Sequence, residues 1–128
     1  MLGIEYGNIE DLNKQLLYKR IIRWDKNSLI LEDGTLVTLE ESESDCCASA
    51  AGEFSNVVLD AVITNVEIGD MVDIPDSDTT VREVKVTIFH NQNPIALAEM
   101  TADAGNGGYY YSVGSLVVNG IHYKIVEA

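Results

Sequence analysis

The chain has 128 residues, of which 46% are apolar, enough for one domain that buries roughly two-thirds of its unfolded surface without a metal or disulfide staple. No window approaches the roughly 18 apolar residues of a membrane span, and the start Met1-Leu2-Gly3-Ile4-Glu5 lacks the basic and apolar runs of a secretion signal. A cytoplasmic protein without a membrane partner is expected. The net charge of −13 opposes binding of nucleic-acid polymers, which requires many phosphates to be neutralised.

The first predicted element is a short helix over residues 9–18, with Ile9, Leu12, Leu16 and Leu17 on one face. Asn8 is placed to cap it, Glu10 and Asp11 fall in its first turn, and Lys14, Lys19 and Arg20 lie toward its end. The period then changes to two. Strands are expected at 20–24 and 28–32 around an Asp25-Lys26-Asn27 turn, and at 35–39 after Asp33-Gly34. Residues 40–56 are acidic, then small and polar, and read as a long loop with one helical turn. Two β-rich runs follow at 57–60 and 61–66, and Pro75-Asp76-Ser77-Asp78 reads as a solvated loop.

The clearest strand is 80–89, where Val84, Val86 and Ile88 alternate with Lys85 and Thr87, giving one buried and one wet face. Asn91-Gln92-Asn93-Pro94 turns it into 95–100. A final hairpin, 115–118 and 121–125, closes on Asn119-Gly120, which suits the two positive-φ positions of a type I′ turn. The expected architecture is one domain over 1–128, mainly β in an α+β setting. It has a helix at about 9–18 and a β core over about 20–127. The core is an antiparallel sheet, or a partly open barrel or sandwich.

Catalysis needs a nucleophile, a base and an orienting group. Cys46, Cys47, His90 and His122 are candidates singly, but no nucleophile signature surrounds the cysteines. His122 in an alternating strand reads as structural or surface, and His90 beside a turn reads as solvated. No enzyme and no cofactor are expected. Adjacent Cys46 and Cys47 match no zinc spacing. Their Cα atoms, about 3.8 Å apart, fall short of the usual disulfide span. Two reduced, buried, structural thiols are expected. Asp73, Asp76 and Asp78 lack the glycine and glutamate of a calcium loop and read as a solvated turn.

Charge is unevenly placed. Five of the eight basic residues, Lys14, Lys19, Arg20, Arg23 and Lys26, fall within 14–26. From Asn27 to Val81 there is no Lys or Arg, yet thirteen of the twenty-one acids lie there. The remaining feature is Ala104-Gly105-Asn106-Gly107-Gly108-Tyr109-Tyr110-Tyr111. Its glycines open conformations closed to other residues, and its tyrosines offer flat faces with a hydroxyl at each tip. It matches neither a P-loop nor a dinucleotide fingerprint. It is either a nest of amides for a small anion or a tight turn entering a strand.

Two segments together resemble an uncharacterised family of small proteins carried by phages and prophages of bacteria. One is Ser44-Asp45-Cys46-Cys47-Ala48 with Gly52-Glu53-Phe54 and 59–66; the other is 101–110, from Thr101 to Tyr110. The likeness covers about residues 30–126 and leaves the N-terminal helix as an extension. It implies a phage setting and no catalytic residues. By analogy with small phage proteins that block host defences, the leading expectation is a sponge for a nucleotide-derived immune signal, a cyclic oligonucleotide or an ADP-ribose derivative. The expected ligand set is Asp45, Arg20, Arg23, Asp103, Asn106, Gly107, Gly108, Tyr109 and Tyr110. Tyr109 and Tyr110 would stack on a base, Gly107 and Gly108 amides would face phosphate, Arg20 or Arg23 would supply charge, and Asp45 would accept from a ribose hydroxyl. Such sponges are usually homo-oligomers, so a dimer or larger is expected. The alternatives are an acidic protein-binding inhibitor or DNA mimic, and a virion or assembly component.

Overall fold

A computed structural model describes residues 4–75, 79–108 and 110–128. One short helix, α1 (Ile9–Leu16), precedes ten strands. The strands are β1 (Ile21–Trp24), β2 (Ser28–Leu31), β3 (Leu36–Ser44), β4 (Ser49–Ser55), β5 (Asn65–Ile68), β6 (Val72–Ile74), β7 (Val81–His90), β8 (Asn93–Asp103), β9 (Ser112–Val118) and β10 (Ile121–Glu127). They form two antiparallel sheets, β1-β2-β3-β9-β10 and β4-β8-β7-β5, with β6 also paired to β7. The fold is a mainly β sandwich with an N-terminal helix, as the alternating pattern indicates. No described helix is long and apolar enough to cross a membrane.

The helix is capped by Asn8, whose side chain accepts from Asp11 N–H at 2.9 Å. Leu12 and Leu16 are buried, but Ile9 is exposed, so the apolar face is narrower than the spacing suggested. The helix also stops short of residue 18. Leu17 is already extended and Tyr18 takes a left-handed φ of 67°, with its N–H donating to Ile63 O at 2.7 Å.

The long strand over 80–89 is present as β7, with Val84, Val86 and Ile88 buried. The hairpin on Asn119-Gly120 forms with both residues at positive φ. Residues 40–56 are not a loop. β3 runs on to Ser44 and β4 returns from Ser49. Acids and small residues fill both their exposed and their half-buried positions, so hydropathy carries no strand period there. The runs 57–60 and 61–66 fail in the opposite sense. Only an isolated bridge at Val62 and the start of β5 are extended pairings. The segment instead donates to separate acceptors, Val58 to Ile95 and Asp60 to Ile21, and Asn56 and Asp60 have positive φ. His90 is half-buried and its Nδ1 donates to Val62 O at 2.8 Å, so it pins this segment instead of standing in solvent.

The open edge of β4 is closed by neighbours. Ala50 N–H donates to Glu41 Oε1 at 2.9 Å, and Phe54 N–H donates to Lys26 O at 2.8 Å. Between the sheets, Met100 is fully buried. A Cβ at Gly114 would stand 2.8 Å from Met100 Sδ and from Val126 Cγ1, so this position requires glycine for sheet contact. Lys19 Nζ lies 2.8 Å from Asp33 Oδ2. The hydrogen bond from Lys19, with others from Thr35, holds the Asp33 carboxyl well below the usual range.

Gly114→Ala should lower the urea midpoint by the equivalent of about 1–3 kcal/mol with an unchanged m value, the cost of overpacking a filled core. Folding lowers the Asp33 pKa, so its contribution is fully present above the unfolded-chain value of about 3.9 and is lost as pH falls below it. Asp33→Asn should therefore flatten the decline in urea midpoint between about pH 5 and pH 2.

Candidate functional site at the sheet corner

Two chain segments cross from one sheet to the other at the same end of the sandwich. β3 passes into β4 through Asp45-Cys46-Cys47-Ala48, and β8 passes into β9 through Ala104–Tyr111. Ser44 pairs with Ser112 in one sheet and Ser49 pairs with Asp103 in the other, so the crossings lie side by side. Asp45 N–H donates to Tyr111 O at 2.9 Å, and Tyr111 N–H donates to Asp45 Oδ2 at 3.3 Å. The two segments singled out in the sequence are thus the two halves of one corner.

The glycines serve this contact. Gly105, Gly107 and Gly108 have φ of 77°, 75° and 68°, values that side chains other than glycine's resist. A Cβ at Gly105 would lie 2.8 Å from Cys47 O and 2.9 Å from the Tyr110 ring. Gly105 N–H donates to Asp103 Oδ1 at 2.7 Å, Gly108 N–H to Gly105 O at 3.0 Å, and Tyr110 N–H to Ala104 O at 3.0 Å. Asp103 Oδ1 also accepts from the Thr79 hydroxyl at 2.7 Å.

The expected ligand set is therefore split. Asp45, Asp103, Gly107, Gly108 and Tyr110 do come together. The Gly108 amide, expected to face a phosphate, is engaged by Gly105, and the Asp45 carboxylate, expected to meet a ribose, faces Tyr111 N–H. Tyr110 is half-buried against Gly105, while Gly107 and Gly108 are exposed. Tyr109 lies outside the described residues, as do Asp76 and Asp78; Asn106 is described in its backbone only.

Arg20 and Arg23 are elsewhere. Arg23 pairs with Ile30, which pairs with Leu36 at the start of β3. The corner lies beyond the other end of β3, roughly 25 Å away at strand rise. Arg20 stands 4.0 Å from Glu32 and donates to Asp60 O at 3.2 Å.

Cys46 and Cys47 are free thiols, as expected of a reduced pair, but both are exposed, not buried. A turn that carries the chain between sheets at the surface leaves them outside the core. Their sulfurs are 2.9 Å apart, and Cys47 as hydrogen-bond partner raises the Cys46 pKa. Thiolate at Cys47 and Cys46 in turn pushes the Tyr110 phenol up. A thiol held protonated is a poor nucleophile.

Beside the corner lies a polar network that the loop assignment for 40–56 concealed. Glu43 accepts from the hydroxyls of Tyr6 and, at 3.3 Å, of Tyr111. Burial first, then Glu43, raises the Tyr6 pKa. Ser42 donates to Ser115 Oγ at 2.6 Å and sits 2.7 Å from His122 Nδ1. These contacts tie β3, β9 and β10 together through their side chains. Among the described residues, no three His, Cys, Asp or Glu side chains converge to hold a metal ion. Asp73, one of the acids weighed for calcium, pairs with Arg82 at 3.0 Å.

Residues 14–117 match a family model described as a domain of unknown function, DUF7448, and the chain belongs to that family. The match begins inside α1 and takes in β1 and β2, so it reaches further toward the N-terminus than residue 30. No curated protein and no solved structure matches the chain.

Gly105→Ala combines left-handed strain with overlap against Cys47 and Tyr110, and should cost about 2–4 kcal/mol in chemical denaturation. Cys46→Ser, at an exposed position, should stay within about 0.5 kcal/mol of the parent.

Proposed function

We propose that the protein is a non-catalytic binding protein of phage or prophage type, and that it acts by presenting an acidic surface to a basic macromolecular partner of the host. The observation that carries this reading is the separation of charge. The cations an anion trap would need, Arg20 and Arg23, lie at the far end of β3 from the glycine corner. The span from Asn27 to Val81, without Lys or Arg, supplies β3, β4, β5 and β6. A net charge of −13 speeds encounter with a cationic surface and slows encounter with an anionic ligand.

Sequestration of a nucleotide-derived signal at the corner is the second reading. It draws support from exposed Gly107 and Gly108 and from Tyr111 in the same crossing, which is 42% exposed. Against it, the Gly108 amide and the Asp45 carboxylate are already engaged by the protein itself.

The two separate in a paired measurement. An oligo-arginine peptide should bind with a log K that falls linearly as log salt rises. Cyclic oligonucleotides and ADP-ribose derivatives should leave the melting temperature unmoved. A nucleotide that adds about 2.7 kcal/mol of stability at a hundred times its Kd, with no peptide binding, would reverse the assignment.

A further inference from the structure

The outward face of the β4-β8-β7 sheet has a chemistry of its own. Its strand register sets Glu53 opposite Glu99, Glu99 opposite Lys85, and Glu83 opposite Thr101. Glu53, Glu83 and Glu99 rim a shallow depression floored by Ala51, Gly52 and Thr101. One strand further on, Val72 pairs with Glu83 and Ile74 pairs with Val81. Val72 is 56% exposed and Ile74 38%. Carboxylates thus lie over small residues, with a bare aliphatic strip along one side.

Two physical features ask for an occupant. Like charges directly opposite across an antiparallel pair destabilise the sheet, and Glu53 and Glu99 are so placed; Lys85 stands opposite Glu99 alone, so an incoming cation at Glu53 and Glu83 relieves the rest. The four strands β4, β8, β7 and β6 span roughly 14 Å at strand spacing, which accommodates a helix of about 10–12 Å diameter. The chain's own helix does not supply such an occupant, because α1 carries Glu10 and Asp11 in its first turn, and the chain's clustered cations lie on and beside a strand, β1. Nucleic acid is repelled by the same carboxylates.

Resting on the acidic-binder reading above, we infer that this face docks a basic amphipathic helix of a partner protein. Its apolar stripe lies along Val72 and Ile74, and its Lys or Arg side chains reach Glu53, Glu83 and Glu99. The acids then serve encounter and register, and the aliphatic strip slows release.

Two peptide probes test this by fluorescence polarisation: an amphipathic Lys/Leu helix and the unpatterned oligo-arginine. Glu53→Gln/Glu99→Gln should bind the amphipathic probe about tenfold more weakly, and Glu53→Gln alone, which leaves the Glu99–Lys85 pair intact, should melt no lower than the parent. Val72→Ser/Ile74→Ser should lose about fivefold for the amphipathic probe and keep its affinity for oligo-arginine. The control Glu5→Gln/Glu10→Gln, which removes the same charge elsewhere, should stay within about twofold. Equal weakening by the control and the Glu53/Glu99 variant would overturn the face while leaving the acidic-binder reading intact. Failure of the parent to bind either probe would overturn both.

Discussion

Everything in this sandwich depends on two strand crossings made at the same place. β3 into β4 and β8 into β9 each carry the chain from one sheet to the other, and each crossing is the other's hydrogen-bond partner through Asp45 and Tyr111. Neighbouring strands in both sheets are thereby held in register from one end. The interior then fills from Phe54, Met100, Leu116 and Tyr123, all buried. Glycine at 114 leaves room for Met100 and Val126 between the sheets, and glycine at 105 lets the two crossings touch. The motif pair that most distinguishes the sequence therefore has a structural reason to occur together, whatever else it does.

How much of this was legible follows from where each residue's partner lies. The β9–β10 hairpin was readable because Asn119-Gly120 is a local instruction with its own backbone geometry. β7 was readable because its two faces differ in polarity. β4 was not: Ser49-Ala50-Ala51-Gly52-Glu53 has the composition of a loop, and its strand character comes from pairing with β8 some fifty residues away. In the other direction, Val57 to Thr64 has strand composition, yet its amides go to acceptors on both sheets. Propensity loses to tertiary hydrogen bonding in both cases.

The candidate site shows the same limit. Asp45, Asp103 and the glycines could be named from sequence, and they do meet. The cations could also be named, but nothing local says that β1 is joined, through β2, to the end of β3 opposite the corner. Glu43 and Ser42 went unnoticed because they sit by the β3 bulge between Glu41 and Glu43, inside a stretch whose acids masked its period. Charge balance, in contrast, was visible at once, because it is a sum over the sequence and needs no knowledge of which residues meet.

The closure of the β4 edge by Glu41 and by the Lys26 carbonyl has a consequence for how the molecule behaves in a crowded cell. Bare strand margins invite like chains to zip together into fibres. Here two amide donors along that margin are stoppered from within, one by a carboxylate and one by a carbonyl. That margin of the sandwich therefore offers fewer free donors to a pairing strand than an uncovered edge would.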